Sequence, residues 1–330
     1  MNKNAKYTST DVAKLAGVSQ ATVSRVFNQP DSVIERTREK VLNAARQLGY
    51  YPNAIAKSLN SSKTNLVGVM VRDITNPYYS AFIAALMERL TAEGKKVLLF
   101  NGTQTCDIET MMTEAISFRV DGLIIASASL CEQLMTKDIP DIVPLVLVNY
   151  QVQSERFCSI GGDEVENGRL VADCLWNHGC RNFYYLSGPE NMPSVTGRLA
   201  GYQQRLKELG VETLVCSFDS YTYESGFSRM QKYIPDLPEE SCGIFCGNDL
   251  IGIGVLDALK QANISAPRCR VIGFDNIEES GWSGNQLSSV RFPVEQMIDV
   301  AMKYLLSNRT EANGCHRFLC EIVERQSTLG

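Results

Sequence analysis

A chain of 330 residues, 44% hydrophobic and 21% charged, is long enough for two or three domains and has the make-up of an ordinary globular protein. No apolar run has transmembrane length, and the opening MNKNAKYTST has no apolar stretch behind its lysines, so no membrane partner and no secretory leader are expected; the expected location is the cytoplasm. The net charge of −5 hides an asymmetry: residues 1–62 hold nine Lys/Arg against four Asp/Glu, a balance of +5, while the remainder is at −10, so an anionic partner is expected for the head alone. The 11 cysteines are irregularly spaced without a C-x-x-C, and only His178 and His316 accompany them. They read as small buried residues in a reducing compartment, and no metal site and no cofactor is expected.

The first predicted element is a short helix, DVAKLAG, capped by Thr10, with Val12, Ala13, Leu15 and Ala16 on its apolar face. Gly17 permits the left-handed backbone of a tight turn. Ser19 caps a second helix, QATVSRVFN, whose Val23, Val26 and Phe27 face inward. Ala13, Gly17 and Val23 have the relative spacing of a helix-turn-helix. A third helix is predicted from Glu35 to Leu48, stopped by Gly49. The outward face of the second helix carries Gln20, Ala21, Thr22, Ser24 and Arg25, slim or hydrogen-bonding side chains of the kind a major groove admits. The alternative is a generic three-helix bundle; the charge asymmetry and the turn spacing together favour the DNA reader.

TDVAKLAGVSQATVSRVFN followed by TREKVLNAARQLGYYPNAIAKSLNS resembles the head of the lactose/purine repressor (LacI/GalR) family across residues 8–63. The resemblance implies a helix-turn-helix domain over residues 1–52 and a hinge helix with linker over 53–64. It places Gln20, Ala21 and Arg25 at base-reading positions, and Thr22, Ser24, Asn28 and Thr37 at phosphate-contacting or turn-supporting ones; Thr8 and Ser19 join the DNA-facing set. NAIAKSLNS is too short and polar to be a stable helix alone. By the resemblance it orders on DNA, with Asn53 at its start and Ala56 and Leu59 entering the minor groove, Leu59 as a wedge.

From Leu66 onward, apolar strands alternate with helices: LVGVMV, a helix from about Ala81, KKVLLF, DGLIIAS and PLVLVNY, then a restart with NFYYLSG, a helix from Gly197, TLVCSF, CGIFCGND, a helix from Ile251, and RVIGFDN. Repeated strand–helix–strand units mean an α/β body of two parallel-sheet lobes. The resemblance implies a two-lobed periplasmic-binding-protein-like effector and dimerisation domain over residues 65–330. Its first lobe would span about 65–162 plus 292–325, and its second about 163–291. Ligands of open α/β sheets bind past the carboxyl ends of strands. The residues there are Asn76, Tyr78 and Tyr79, then Asn101, Asn149, Asp163, Arg198, Tyr221, Asn248 and Asp275, and they suit a polar ligand of sugar size. Matched to the family, all but Asn101 form the expected effector set, with Asp and Asn at strand ends readable equally as helix caps.

The enzyme classes have little support. The first strand is followed by Asn-Pro rather than a glycine-rich phosphate loop, no G-x-S-x-G occurs, and two scattered histidines make no triad. A cytosolic solute-binding protein would share the body but not the head. The expected function is a DNA-binding regulator, a repressor by preference, which binds a palindromic operator on double-stranded DNA as a homodimer. Its small-molecule effector is expected to be a sugar or sugar acid, with a non-sugar organic acid or a nucleobase as the alternative, and inducer versus corepressor stays open. A tetramer is disfavoured because FLCEIVERQSTLG leaves no room for a leucine-heptad extension.

Overall fold

Thr8, rather than Thr10, starts the first helix, α1 (Ser9–Ala16). The Thr8 hydroxyl accepts the Asp11 backbone N–H at 3.4 Å and the Asp11 carboxylate accepts the Thr8 backbone N–H at 2.8 Å, a reciprocal pair that answers two of the open donors of a helix start. A sequence scan favours Thr10 because the apolar period begins just after it; Asp11, three residues past Thr8, is the partner that decides. Gly17 takes φ 66, and Ser19 caps α2 (Gln20–Asn28) by accepting the Thr22 N–H at 3.1 Å. The third helix, α3 (Glu35–Leu48), packs Val41, Ala44 and Ala45 against Val12, Ala13, Val23 and Val26. Leu15 is 50% exposed, because Val12, Ala13 and Ala16 already fill the inner face of this two-turn helix.

The computed structural model describes residues 7–51, 63–102, 107–135, 142–188, 192–216, 220–307 and 313–330. The chain divides into two compact units, Met1–Thr64 and Asn65–Gly330. The predicted hinge residues Asn53, Ala56 and Leu59 lie outside the described residues.

The second unit holds two six-stranded sheets. The first runs in the order β11 (Gly314–Phe318), β5 (Cys158–Gly162), β4 (Leu145–Val148), β3 (Gly122–Ile125), β1 (Leu66–Val71), β2 (Lys96–Asn101), with every pair parallel. The second runs β12 (Glu321–Val323), β10 (Ser288–Arg291), β9 (Cys269–Phe274), β8 (Cys242–Cys246), β6 (Asn182–Leu186), β7 (Thr213–Cys216), and only the β10–β12 pair is antiparallel. In each sheet the order reverses beside its first strand, which opens a crevice at the carboxyl ends. The near-continuous apolar strands follow from burial on both faces, as crossover helices require.

The crossover helices are α4 (Pro77–Ala92), α5 (Ile108–Ser117) and α6 (Ala128–Met135) in the first lobe, and α7 (Glu164–Asn177), α8 (Pro193–Glu208), α9 (Tyr223–Tyr233) and α10 (Asp249–Gln261) in the second. Helix α11 (Val294–Leu306) returns to the first lobe and packs on β4, β5 and α4. The predicted allotment of 292–325 to the first lobe needs correction at its end. Strand β11 joins the first sheet, but β12, two residues later, pairs with β10 in the second. A connection that short leaves no turn signal in FLCEIV, so the crossing is hidden in what reads as one run. Tyr78, Phe292, Phe274 and Phe245 form an aromatic file from α4 into the second sheet, with successive ring centroids 5.5, 5.2 and 6.4 Å apart.

Candidate functional site

On α2 the side chains of Gln20, Ala21, Ser24, Arg25 and Asn28 are exposed, as are Thr8 and Ser19; Thr22 and Thr37 are half-buried. Short polar links organise this face. The Ser19 and Thr22 hydroxyls are 2.9 Å apart, and the Asn28 amide donates to the Ser24 hydroxyl at 3.1 Å. The Gln20 amide donates to the Ser9 hydroxyl at 3.0 Å, which ties the start of α2 to α1. Arg25 is the only cation on α2 and stands on this open face.

In the body, a cleft of about 310 Å³ lies where the strand ends of the two lobes converge. Eight of the nine predicted effector residues line it: Asn76, Tyr78, Tyr79, Asn149, Arg198, Tyr221, Asn248 and Asp275. Asp163 does not. It caps α7 by accepting the Glu166 N–H at 3.2 Å and lies 3.7 Å from the Arg317 guanidinium. Asn101 is also absent from the lining. Asn76 and Asn248 cap helices too, accepting the N–H of Tyr78 at 3.1 Å and of Ile251 at 3.0 Å, yet both remain on the cleft wall. Helix α4 therefore begins at Pro77, four residues before the predicted start. Tyr78 and Tyr79 stand on its first turn, rings edge to face at 5.2 Å.

Arg198 is 6% exposed and fully engaged on one side. Its Nε and Nη2 donate to the two Glu164 oxygens at 2.5 and 3.3 Å, its Nη1 donates to the Gly247 carbonyl at 3.0 Å, and its guanidinium lies 3.3 Å from the Phe274 ring centroid. Burial works against its charge, and Glu164 more than restores it, so its pKa stands above the ordinary arginine value. Asp275 is the counterpart. Among the described residues no donor reaches its carboxylate, and burial raises its pKa well above the carboxylate range. Its backbone has φ 103, and Asn149 has φ 57; such conformations persist where the surroundings impose them. Burial pushes the Tyr221 phenol up to about 12, with the Arg198 charge opposing the shift, so all three cleft tyrosines remain neutral donors at physiological pH.

Sequence reading misses Arg72, Asp73, Ser127, Ser129, Ser194 and Ser220, which also line the cleft. Arg72-Asp73 directly follow strand β1, and Ser127-Ala128-Ser129 follow β3 after Ala126, so their position alone could have found them. A larger open groove of about 830 Å³ shares Tyr78 and Asp275 but is walled by Glu278, Glu279, Glu295 and Glu321. Its amides and hydroxyls are fewer, two amides (Asn276 and Gln296) against the three asparagines of the smaller cleft and a single tyrosine against three, so the smaller cleft is the better ligand site.

A basic helix-turn-helix head and a two-lobed α/β body with a polar interlobe cleft define the class of a ligand-responsive DNA-binding regulator. Residues 8–53 match the bacterial regulatory proteins of the lacI family, and residues 172–328 match the periplasmic binding protein-like domain. Catabolite control protein A of Priestia megaterium is 32% identical over 96% of this chain and 98% of its own length. The lac repressor dimer bound to operator and the anti-inducer ONPF superposes with a TM-score of 0.84 at 25% identity, covering 99% of this chain and 100% of that one. The complex of the transcriptional regulator CelR with cellobiose gives 0.66 at 26% identity, over 97% and 99%. The chain belongs to the LacI family of DNA-binding transcriptional regulators.

Proposed function

We propose that this protein is a cytoplasmic repressor that binds a palindromic operator as a homodimer and is controlled by a neutral sugar held in the interlobe cleft. Residues 1–52 act as the reading head, 53–64 as the hinge, and 65–330 as the effector and dimerisation domain. Gln20 and Arg25 read base edges, because Ala21 between them offers no hydrogen bond. Thr8, Ser19, Thr22, Ser24, Asn28 and Thr37 position the head on phosphates, while Asn53, Ala56 and Leu59 serve the hinge and its minor-groove wedge. The similar lac repressor is a dimer on its operator, and the similar CelR binds cellobiose.

The observation that carries the effector class is the Arg198–Glu164 pair. Arg198 already faces a carboxylate, so it is a poor anchor for an anionic ligand. The Asp275 carboxyl, three phenols and the cleft amides instead match hydroxyl donors and acceptors, and the tyrosine rings offer flat apolar faces to a sugar. A thermal-shift screen of the purified chain against neutral sugars, sugar acids and nucleobases tests this, followed by operator gel shifts with each hit. A neutral sugar should raise the melting temperature and change operator affinity. Stabilisation by acids or nucleobases alone would replace the sugar reading with the corresponding alternative.

A further inference from the structure

We propose that Cys174, His178 and Glu324 form a site for a divalent transition-metal ion, zinc by preference, that fastens the segment after β12 to the end of helix α7. Cys174 and His178 are four residues apart at the last turn of α7, a spacing that puts both side chains on one helix face. Glu324 directly follows β12, the edge strand of the second sheet, and meets them from another part of the chain. A thiol sulfur, an imidazole nitrogen and a carboxylate oxygen lie within 4.8 Å of one another, and His178 Nε2 is 2.5 Å from Glu324 Oε2. Zinc bonds of about 2.0–2.1 Å to N and O and about 2.3 Å to S set tetrahedral donor atoms roughly 3.3–3.6 Å apart. The metal therefore needs the His178–Glu324 hydrogen bond to open by about 1 Å, within the reach of a 40% exposed glutamate side chain.

The donor set selects the ion. Thiolate and imidazole exclude magnesium and calcium and suit zinc, and three protein ligands leave a fourth position for water. Glu324 has an outer support in the Thr328 hydroxyl, which donates to Oε2 at 3.3 Å, as ligating carboxylates commonly have. His178 also lines an open groove of about 540 Å³, which gives an ion a path from solvent. Burial and the nearby Glu324 charge push the Cys174 thiol up to about 12, so the metal must displace its proton on binding. Counting histidines conceals this site, since its third ligand is 146 residues from His178 and no spacing motif links them. None of the three residues lines the interlobe cleft.

The test uses the full-length protein, stripped by a chelator and kept reduced, titrated with Co²⁺ alone. The expected result is one Co²⁺ per chain with a thiolate-to-cobalt charge-transfer band, displaced by Zn²⁺, and a Zn²⁺-dependent rise in melting temperature. Cys174→Ser should abolish the band. His178→Gln and Glu324→Gln, both at partly exposed side chains, should each weaken binding by more than about tenfold with an unchanged metal-free melting temperature. These two carry the test if Cys174→Ser does not fold. A wild type without the band would show that no thiolate holds Co²⁺, and a band that persists undiminished in His178→Gln and Glu324→Gln would place the metal on other cysteines; either result overturns the proposal.

Discussion

Arg198 brings a full charge into the wall of the cleft and sets it against Glu164, with side-chain exposures of only 7% and 11%. Removing one partner of such a pair leaves the other buried and uncompensated. Glu164→Gln should therefore cost about 3–5 kcal/mol in urea unfolding of the body. It should also turn the cleft toward anions, so that sugar acids stabilise the variant more than they stabilise wild type; an unchanged ligand preference would mean that the Arg198–Glu164 pair does not select a neutral effector. On the head, Arg25→Ala should lose about 1–3 kcal/mol of discrimination between operator and random DNA in gel shifts, with ligand-induced thermal shifts of the body intact. Asp249 provides a pH test. It accepts the Ser289 hydroxyl at 2.5 Å, the Ser280 hydroxyl at 2.7 Å and the Ile277 N–H at 2.8 Å, yet burial pushes its carboxyl up to about 7. In the unfolded chain it titrates near pH ~4. The folded state thus holds the proton more tightly, and the stability linked to it is complete below about pH 4 and lost as pH rises through 7. Relative to Asp249→Asn, wild type should lose on the order of 3 kcal/mol between those limits, and parallel pH profiles from urea titrations would contradict it.

Between elements, the contact that aligns Glu164 with Arg198 is the crossing of α7 and α8. A Cβ added at Gly168 would lie 2.1 Å from the Arg198 carbonyl oxygen, and one at Gly201 would lie 1.9 Å from that of Val165. Backbone meets backbone there, so no side-chain rotation relieves an added methyl. Gly201→Ala should part the helices, cost about 1–3 kcal/mol or more, and weaken ligand binding without touching the cleft lining; a variant with wild-type unfolding and binding would show that the crossing gives way freely. This crossing also marks where sequence reading stops. Helix α3 is legible because its apolar period and its stop residue Gly49 agree locally, and the strand at Leu66–Val71 because it is a near-continuous apolar run. Strand-end position likewise points to most of the cleft. It cannot separate caps from ligand-facing groups: Asn76, Asp163 and Asn248 all cap helices, and only the packing of the lobes leaves Asp163 out of the lining. Glu164 is invisible in the sequence as the partner of Arg198, because the pairing depends on a helix crossing 34 residues apart along the chain.

At the scale of the body, the cleft is bounded by both sheets, and the chain passes between them three times, after β5, after β10 and after β11. The aromatic file from Tyr78 through Phe292 to Phe274 crosses the same boundary, and Phe274 carries Arg198 on its face. A ligand that touches Tyr78 and Asp275 at once therefore bonds to both lobes and favours the arrangement in which both sets of contacts are made. Its influence on operator binding is bounded by its differential affinity for the lobe arrangements, typically about 1–3 kcal/mol or a factor of about 5–150. Asp275→Asn tests this with little disturbance, since asparagine tolerates positive φ and keeps the side-chain shape. It replaces a carboxyl that no neighbour among the described residues holds with an amide that cannot accept two hydroxyl donors in the same way. The variant should bind operator as wild type does without ligand, bind the ligand identified by the thermal-shift screen more weakly in calorimetry, and lose most of the ligand-dependent change in gel shift. Wild-type calorimetry together with an undiminished operator response would show that the carboxyl faces the cleft without serving it, and the effector contacts would then have to be sought among Asn149, Tyr221 and Asn248.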